Sequence, residues 1–333
     1  MAGTDRQMRA GAAAPTGGPT DGPAGPSPLA TWHQKVFAAV EKWPWLSSLN
    51  DNVSGVTQPL YDRYRDNLAV ELMHGGRWAG HSVHAALSDL PIGFWSGALV
   101  LDVVDVLGEK RSSRRAGSGD AAATLSAAGL VAAAATVATG VTDWTVSDGA
   151  DRRVGLFHGL LNLTGTALQA ASLAARLGGR RGTAHGLGLA SMAVTAAAGF
   201  VGGHLVQGRA VMVNRVATTT GPRSWVRALP EPELAEGTSA HVVVEGRQIM
   251  LHRADEQVYA LDDLCSHAGA LLSRGEVTDC IVTCPLHESR FDIRDGHIVR
   301  GPAHHPQPAL PTRVRNGWIE VRGSQPASRR ARN

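Results

Sequence analysis

Charge is scarce in this chain of 333 residues. Asp, Glu, Lys and Arg together make up 18%, below the roughly 25% of a soluble domain. The net charge of +3 comes without a basic stripe interleaved with aromatics, which argues against a nucleic-acid partner. Three cysteines are too few for a disulfide framework. The first thirty residues hold no apolar run behind a basic start, so no secretory signal peptide is read there. They are mostly Ala, Gly, Pro and Thr, and a disordered tail is expected over 1–30, with another over 324–333.

Apolar residues, at 43%, and 39 glycines are what the chain does have. In "TWHQKVFAAVEKWPWL" the residues Trp32, Val36, Phe37, Val40 and Trp43 recur at helical spacing, and a juxtamembrane helical segment is expected over 31–89. Four apolar stretches follow within 90–206: Leu90–Leu107, Ala121–Thr142, Val154–Leu177 and Thr183–Val206. Each is close to the roughly 20 residues that a bilayer span requires. Their frequent Gly and Ala suit close helix packing in a membrane. The reading is an all-α four-helix transmembrane bundle, weakened in its first span by Asp102 and Asp105. After a linker over 207–223 the texture changes to short alternating runs with a turn at Glu245-Gly246. This predicts an all-β domain over 224–323.

All three cysteines fall in "DLCSHAGALLSRGEVTDCIVTCPLHESRFD", Asp263 to Asp292. Two of them pair with a histidine, as Cys265-x-His267 and Cys284-x-x-His287. Thiolate and imidazole together suit iron or zinc. Cys280 reads as a small side chain on a strand four residues before Cys284.

The two motifs and their flanks, "LDDLCSHAGALLSRGEV" and "CPLHESRFDIRDGHIVRGPA", resemble the Rieske family over about Trp225–Gly323. The resemblance implies a [2Fe-2S] cluster with Cys265 and Cys284 on one iron and His267 and His287 on the other. A zinc knuckle is the chemical alternative. Ser289 is retained where the family places a hydroxyl donor to sulfur. Phe291 stands where high-potential members have Tyr, and Glu288 stands where the family usually has Gly. Ala268–Ala270 and Leu286 fill the places where high-potential relatives carry a disulfide between the loops. A middle to low potential is expected. Only ten residues follow Gly323, so the expectation is an electron carrier and not a hydroxylase with a second iron domain.

"RWAGHSVHAALSDLPIGFWSGALVLDVV", "GLFHGLLN" and "GGHLVQG" are similar to a four-helix membrane domain of unknown function often fused ahead of Rieske domains. That family typically has His-Pro-x-His-Pro where this chain has His81, Ser82, His84 and Ala85. Four spans would bring His81, His84, Asp89, Asp143, His158 and His204 near one membrane face, the face that carries the β-domain. Intramembrane ionisable groups are candidate functional sites, here for haem, a quinone or a metal, with a pairing of His158 and His204 as axial haem ligands considered. Seven basic groups, Arg176, Arg180 and Arg181 included, lie at the two opposite loops. The positive-inside rule therefore puts the β-domain outside the cell membrane. The function expected is a membrane-anchored electron-transfer protein working with a redox partner protein or a quinone in contact with lipid. The alternatives are a redox sensor and a quinone- or haem-linked oxidoreductase subunit.

Overall fold

A computed structural model describes residues 31–107 and 115–323. The expected tails, 1–30 and 324–333, lie outside the described residues. Two units are distinguished, one ending at Trp43 and one running from Pro44 onward. The first contributes helix α1, Trp32–Val40, opened by a capping box between Thr31 and Gln34.

The second unit begins with four helices that precede the apolar ones: α2 Pro44–Tyr64, α3 Leu68–His74, α4 Gly76–Ala79 and α5 Val83–Leu87. Asn67 caps α3 by accepting from Ala69 N, and Gly75 ends it in the left-handed region at φ 82°. Four long helices follow: α6 Asp89–Leu107, α7 Arg115–Thr145, α8 Gly149–Leu177 and α9 Arg181–Gly203, the last running into a π-turn at His204–Gly208. They pack α6 on α7, α7 on α8, α8 on α9 and α9 back on α6.

Three of these are long and apolar enough to cross a membrane: Val83–Leu107, Asp120–Thr145 and Arg181–Gly208. The stretch expected as the third of four spans forms a helix of span length, α8, but its His158, Asn162 and Gln169 keep it less apolar than its neighbours. Polar groups join the helices instead of apolar burial alone. Gln169 Nε2 donates to Ser126 Oγ at 3.0 Å, and Ser191 Oγ donates to Gly165 O at 2.8 Å. Arg176 grips the buried Asp102 with two bonds of 2.6 and 2.5 Å. Arg176 is thus a neutralised bundle residue and not a free loop charge, which removes it from the charge count behind the sidedness expectation.

From Val226 the chain forms β-sheets, with short 3-10 turns at Glu231–Glu233 and Leu272–Arg274. One sheet joins β1 (Val226–Pro230), β11 (Trp318–Val321) and β10 (Thr312–Arg315). A second runs β2 (Ser239–Val244), β3 (Arg247–Ala254), β4 (Gln257–Asp262) and β9 (Ala309–Leu310). Glu245 and Gly246, at φ 50° and 81°, make the expected two-residue turn between β2 and β3. The third sheet, β5 (Glu276–Thr278), β6 (Ile281–Thr283), β7 (Arg290–Asp292) and β8 (Ile298–Arg300), carries the second cysteine loop. Cys280 is not on a strand. It occupies the Asp279-Cys280 turn between β5 and β6 at φ 62°, with its side chain against the core that holds Phe291.

Candidate metal centre

Two loops of matching construction present the cysteines. In the first, Cys265 N donates to Ala270 O at 2.8 Å and Gly269 N donates to Cys265 O at 2.9 Å. In the second, Cys284 N donates to Ser289 O at 2.8 Å and Glu288 N donates to Cys284 O at 3.0 Å. Each loop needs a left-handed residue four places after its cysteine. Gly269 supplies it at φ 78°, and Glu288 supplies it at φ 58°, a conformation costly for a residue with a Cβ.

The loops bury their donors. Cys265 and Cys284 are each 1% exposed, and His267 is 6% exposed. Nδ1 of His267 lies 3.2 Å from Nδ1 of His287, with the rings 4.9 Å apart and nearly perpendicular. The two thiols share a hydrogen bond, which lowers Cys284 to about 7 and raises Cys265. Burial pushes both imidazoles down, His267 well below the ordinary histidine range. Both are therefore neutral, the form that binds metal. Among the described residues no three Cys, His, Asp or Glu side chains converge as a single-ion site. A sulfur pair beside an imidazole pair fits two irons of unlike ligation better than one tetrahedral ion.

Surrounding groups hold the loops in place. Gln307 accepts from Ser266 N at 3.0 Å and donates to Asp262 O and Leu264 O at 2.6 and 2.5 Å. Ser289 Oγ, fully buried, accepts from Ala303 N at 3.0 Å, leaving its O–H free to donate toward sulfur. Phe291, also fully buried, packs in the same core as both cysteines.

The helical region reaches this site directly. Asp148 Oδ2 lies 2.6 Å from His287 Nε2. Arg65 pairs with Glu288 at 2.7 Å, Arg300 pairs with Asp66, and His304 Nε2 donates to His74 O at 2.9 Å. A cavity of about 230 Å³ remains between the two regions, lined by Val146, Asp148, Met212, Arg215, His267 and His287. None of Asp148, Glu288 or His304 as a seam residue was signalled by spacing. Only the departure from Gly at position 288 hinted at a local demand.

The six candidate membrane residues do not gather at one point. Asp143 is buried and takes His74 Nδ1 at 3.1 Å and the Ser82 hydroxyl, partners absent from the expected set. His81 Nδ1 bonds Ser82 O at 3.1 Å, and Asp89 opens α6. His158 meets His84: their ring centroids are 6.3 Å apart. His204 begins the π-turn beyond α9, against Gly208.

Residues 224–312 match the model of the Rieske [2Fe-2S] domain, and residues 80–215 match that of a predicted membrane protein family, DUF2231. The naphthalene 1,2-dioxygenase system ferredoxin component of Pseudomonas putida is 32% identical over 92 residues, covering 28% of this chain and 88% of its own length. The anthranilate 1,2-dioxygenase ferredoxin subunit of Burkholderia cepacia is 38% identical over 89 residues, 27% of this chain and 82% of its own. The solved ferredoxin of carbazole 1,9a-dioxygenase from Nocardioides aromaticivorans IC177 is 34% identical and covers 29% of this chain and 96% of its own, with a TM-score of 0.29.

Proposed function

We propose, from the premise that this chain belongs to the Rieske [2Fe-2S] family, that it is a membrane-anchored one-electron carrier. Cys265 and Cys284 hold one iron, and His267 and His287 hold the other. The observation that carries this assignment is the pair of Nδ1 atoms 3.2 Å apart beside two buried cysteines that share one core. When bound, the cluster supplies reversible one-electron storage at a potential set by its ligands and their hydrogen bonds.

The chain's own residues do the rest. The buried loops exclude water from the sulfurs. Gln307 fixes the first loop, and Ser289 donates a hydrogen bond to a cysteine sulfur, which favours the reduced state. Phe291 offers no second hydroxyl, which supports a middle to low potential. Three apolar helices and the match to a predicted membrane protein support a multi-pass anchor, with the cluster domain outside on the positive-inside reading. The relatives are named as ferredoxin components of dioxygenase systems, and a redox partner protein is the corresponding partner here.

The test is the EPR spectrum of reduced, anaerobically purified full-length protein together with its metal content. Two irons per chain and a mixed Cys/His signal, lost in His267→Ala and His287→Ala, are expected. Stoichiometric zinc without iron would overturn the assignment.

A further inference from the structure

His84 and His158 are held by the same device, used twice. His84, on α5, sets its ring against Gly140 of α7 and bonds through Nδ1 to Thr136 O at 3.0 Å. His158, on α8, sets its ring against Gly202 of α9 and bonds through Nδ1 to Ala198 O at 2.8 Å. In both cases the glycine lies four residues, one helical turn, beyond the carbonyl. A Cβ at Gly140 would fall 2.8 Å from the His84 ring, and one at Gly202 would fall 3.0 Å from the His158 ring. Any other residue at these positions crowds the imidazole.

A carbonyl only accepts, so each Nδ1 carries the proton and each Nε2 keeps its lone pair. This is the arrangement by which a backbone carbonyl orients a metal-ligating histidine. Asn162 Nδ2 lies 3.0 Å from His158 Nε2, as a donor does at a lone pair, and meets His158 O at the same distance. It retains that carbonyl partner if Nε2 is taken by another group.

The two rings stand 6.3 Å apart at 88°. A histidine nitrogen sits ~2.0–2.1 Å from its metal, so two imidazoles on opposite sides of one ion have centroids about 6 Å apart. No third Cys, His, Asp or Glu converges with them among the described residues. A bare ion that takes all its ligands from protein side chains is poorly served by two donors. A haem brings four equatorial nitrogens of its own and asks the protein for axial histidines.

From this we infer that His84 and His158 are the axial ligands of a haem bound within the helical region. The site uses none of the residues assigned to the iron–sulfur cluster and goes beyond the electron-carrier reading. It also gives the fusion a purpose. His158 lies nine residues into α8, about 14 Å along the axis from its start at Gly149, and the preceding residue, Asp148, touches His287.

The experiment is a pyridine haemochrome assay and an optical spectrum of full-length protein made in haem-replete cells, with the cluster EPR signal read on the same sample. One low-spin haem per chain is expected. It should be lost in His84→Ala and His158→Ala, with the cluster signal kept, and retained in His204→Ala. Where an alanine variant loses both signals, His84→Met decides: a retained haem with a shifted Soret band supports the assignment, and any other outcome counts against it. Wild-type protein with an intact cluster signal and no haem would overturn it, leaving the cluster assignment standing. A low-spin spectrum that survives both alanine changes would do the same.

Discussion

Asp148 Oδ2 meets His287 Nε2 at 2.6 Å, although Asp148 stands at the N-cap of α8, where its side chain makes no capping hydrogen bond. Aspartate favours that position because its carboxylate satisfies helix N–H groups. Here the carboxylate turns outward to the ring of a proposed iron ligand. A negative charge beside the imidazole favours the more positive, oxidised cluster. Asp148→Asn is therefore expected to raise the potential, on the order of 30–60 mV in low salt. The effect should shrink as salt is added, because the Asp148 side chain is 59% exposed. Redox titration followed by EPR measures it, and an unchanged or lower potential would mean that the two groups part in solution.

Gly76 sets the closeness of the helical and β-regions. A Cβ there would lie 2.3 Å from Ala303 O, a backbone atom that has little room to yield. Gly76→Ala is expected to cost about 1–3 kcal/mol and to loosen the segment around Ala303 and His304, whose ring bonds His74 O. Hydrogen exchange should show faster exchange at 301–305 with the β-sheets still protected. Unchanged exchange there would show that the seam does not depend on this contact.

The cluster loops and the surrounding strands could be read in the sequence because their signals are local. Cys265-x-His267 and Cys284-x-x-His287 are short patterns, and Glu245-Gly246 forms its turn where two alternating runs meet. What could not be read depends on contacts between distant segments. Asp148 and His287 are 139 positions apart, and nothing in either neighbourhood announces the other. Asp143 takes His74, a residue outside the candidate set, because α3 packs on α7. The neighbour of His158 is likewise set by packing between distant helices. Helix length and polarity put His158 and His204 near one end, but it is the rotation of each helix that turns His158 toward His84. Glu288 departs from the glycine expected in its loop, and its pairing with Arg65 at 2.7 Å supplies a reason that a single loop could not show.

The acid sensitivity of the β-domain should depend on Asp292. Arg294 donates to its carboxylate through Nε at 2.8 Å and through its backbone N at 2.9 Å, holding it below the ordinary carboxylate range. A depressed folded-state value means that the stabilisation is complete above the unfolded value of about 4. It is lost as pH falls through the folded value. Arg294→Ala should therefore lower the temperature at which the cluster's visible circular dichroism is lost at pH 7. The gap from wild type should close as pH falls toward 3. A gap that stays constant over that range would assign the effect to packing and not to this pair.

By the resemblance to the Rieske family, Phe291 and Ser289 stand at the two positions from which a hydroxyl would reach sulfur. Ser289 has its oxygen engaged by Ala303 N at 3.0 Å, so its proton is the part left to point at a cysteine. Phe291 shares a fully buried core with Cys265 and Cys284 but has no hydrogen to donate. Phe291→Tyr places a hydroxyl at the ring tip. A hydrogen bond to a sulfur steadies the extra negative charge of the reduced cluster, so the potential should rise. A bond worth ~1.4 kcal/mol corresponds to about 60 mV for one electron. Ser289→Ala should move it the other way by a similar amount. The two variants, titrated against the same mediators, test one idea from both sides. A Tyr variant with an intact EPR signal and an unshifted potential would show that the ring tip does not face sulfur, and the low-potential reading would then rest on the charge of Asp148.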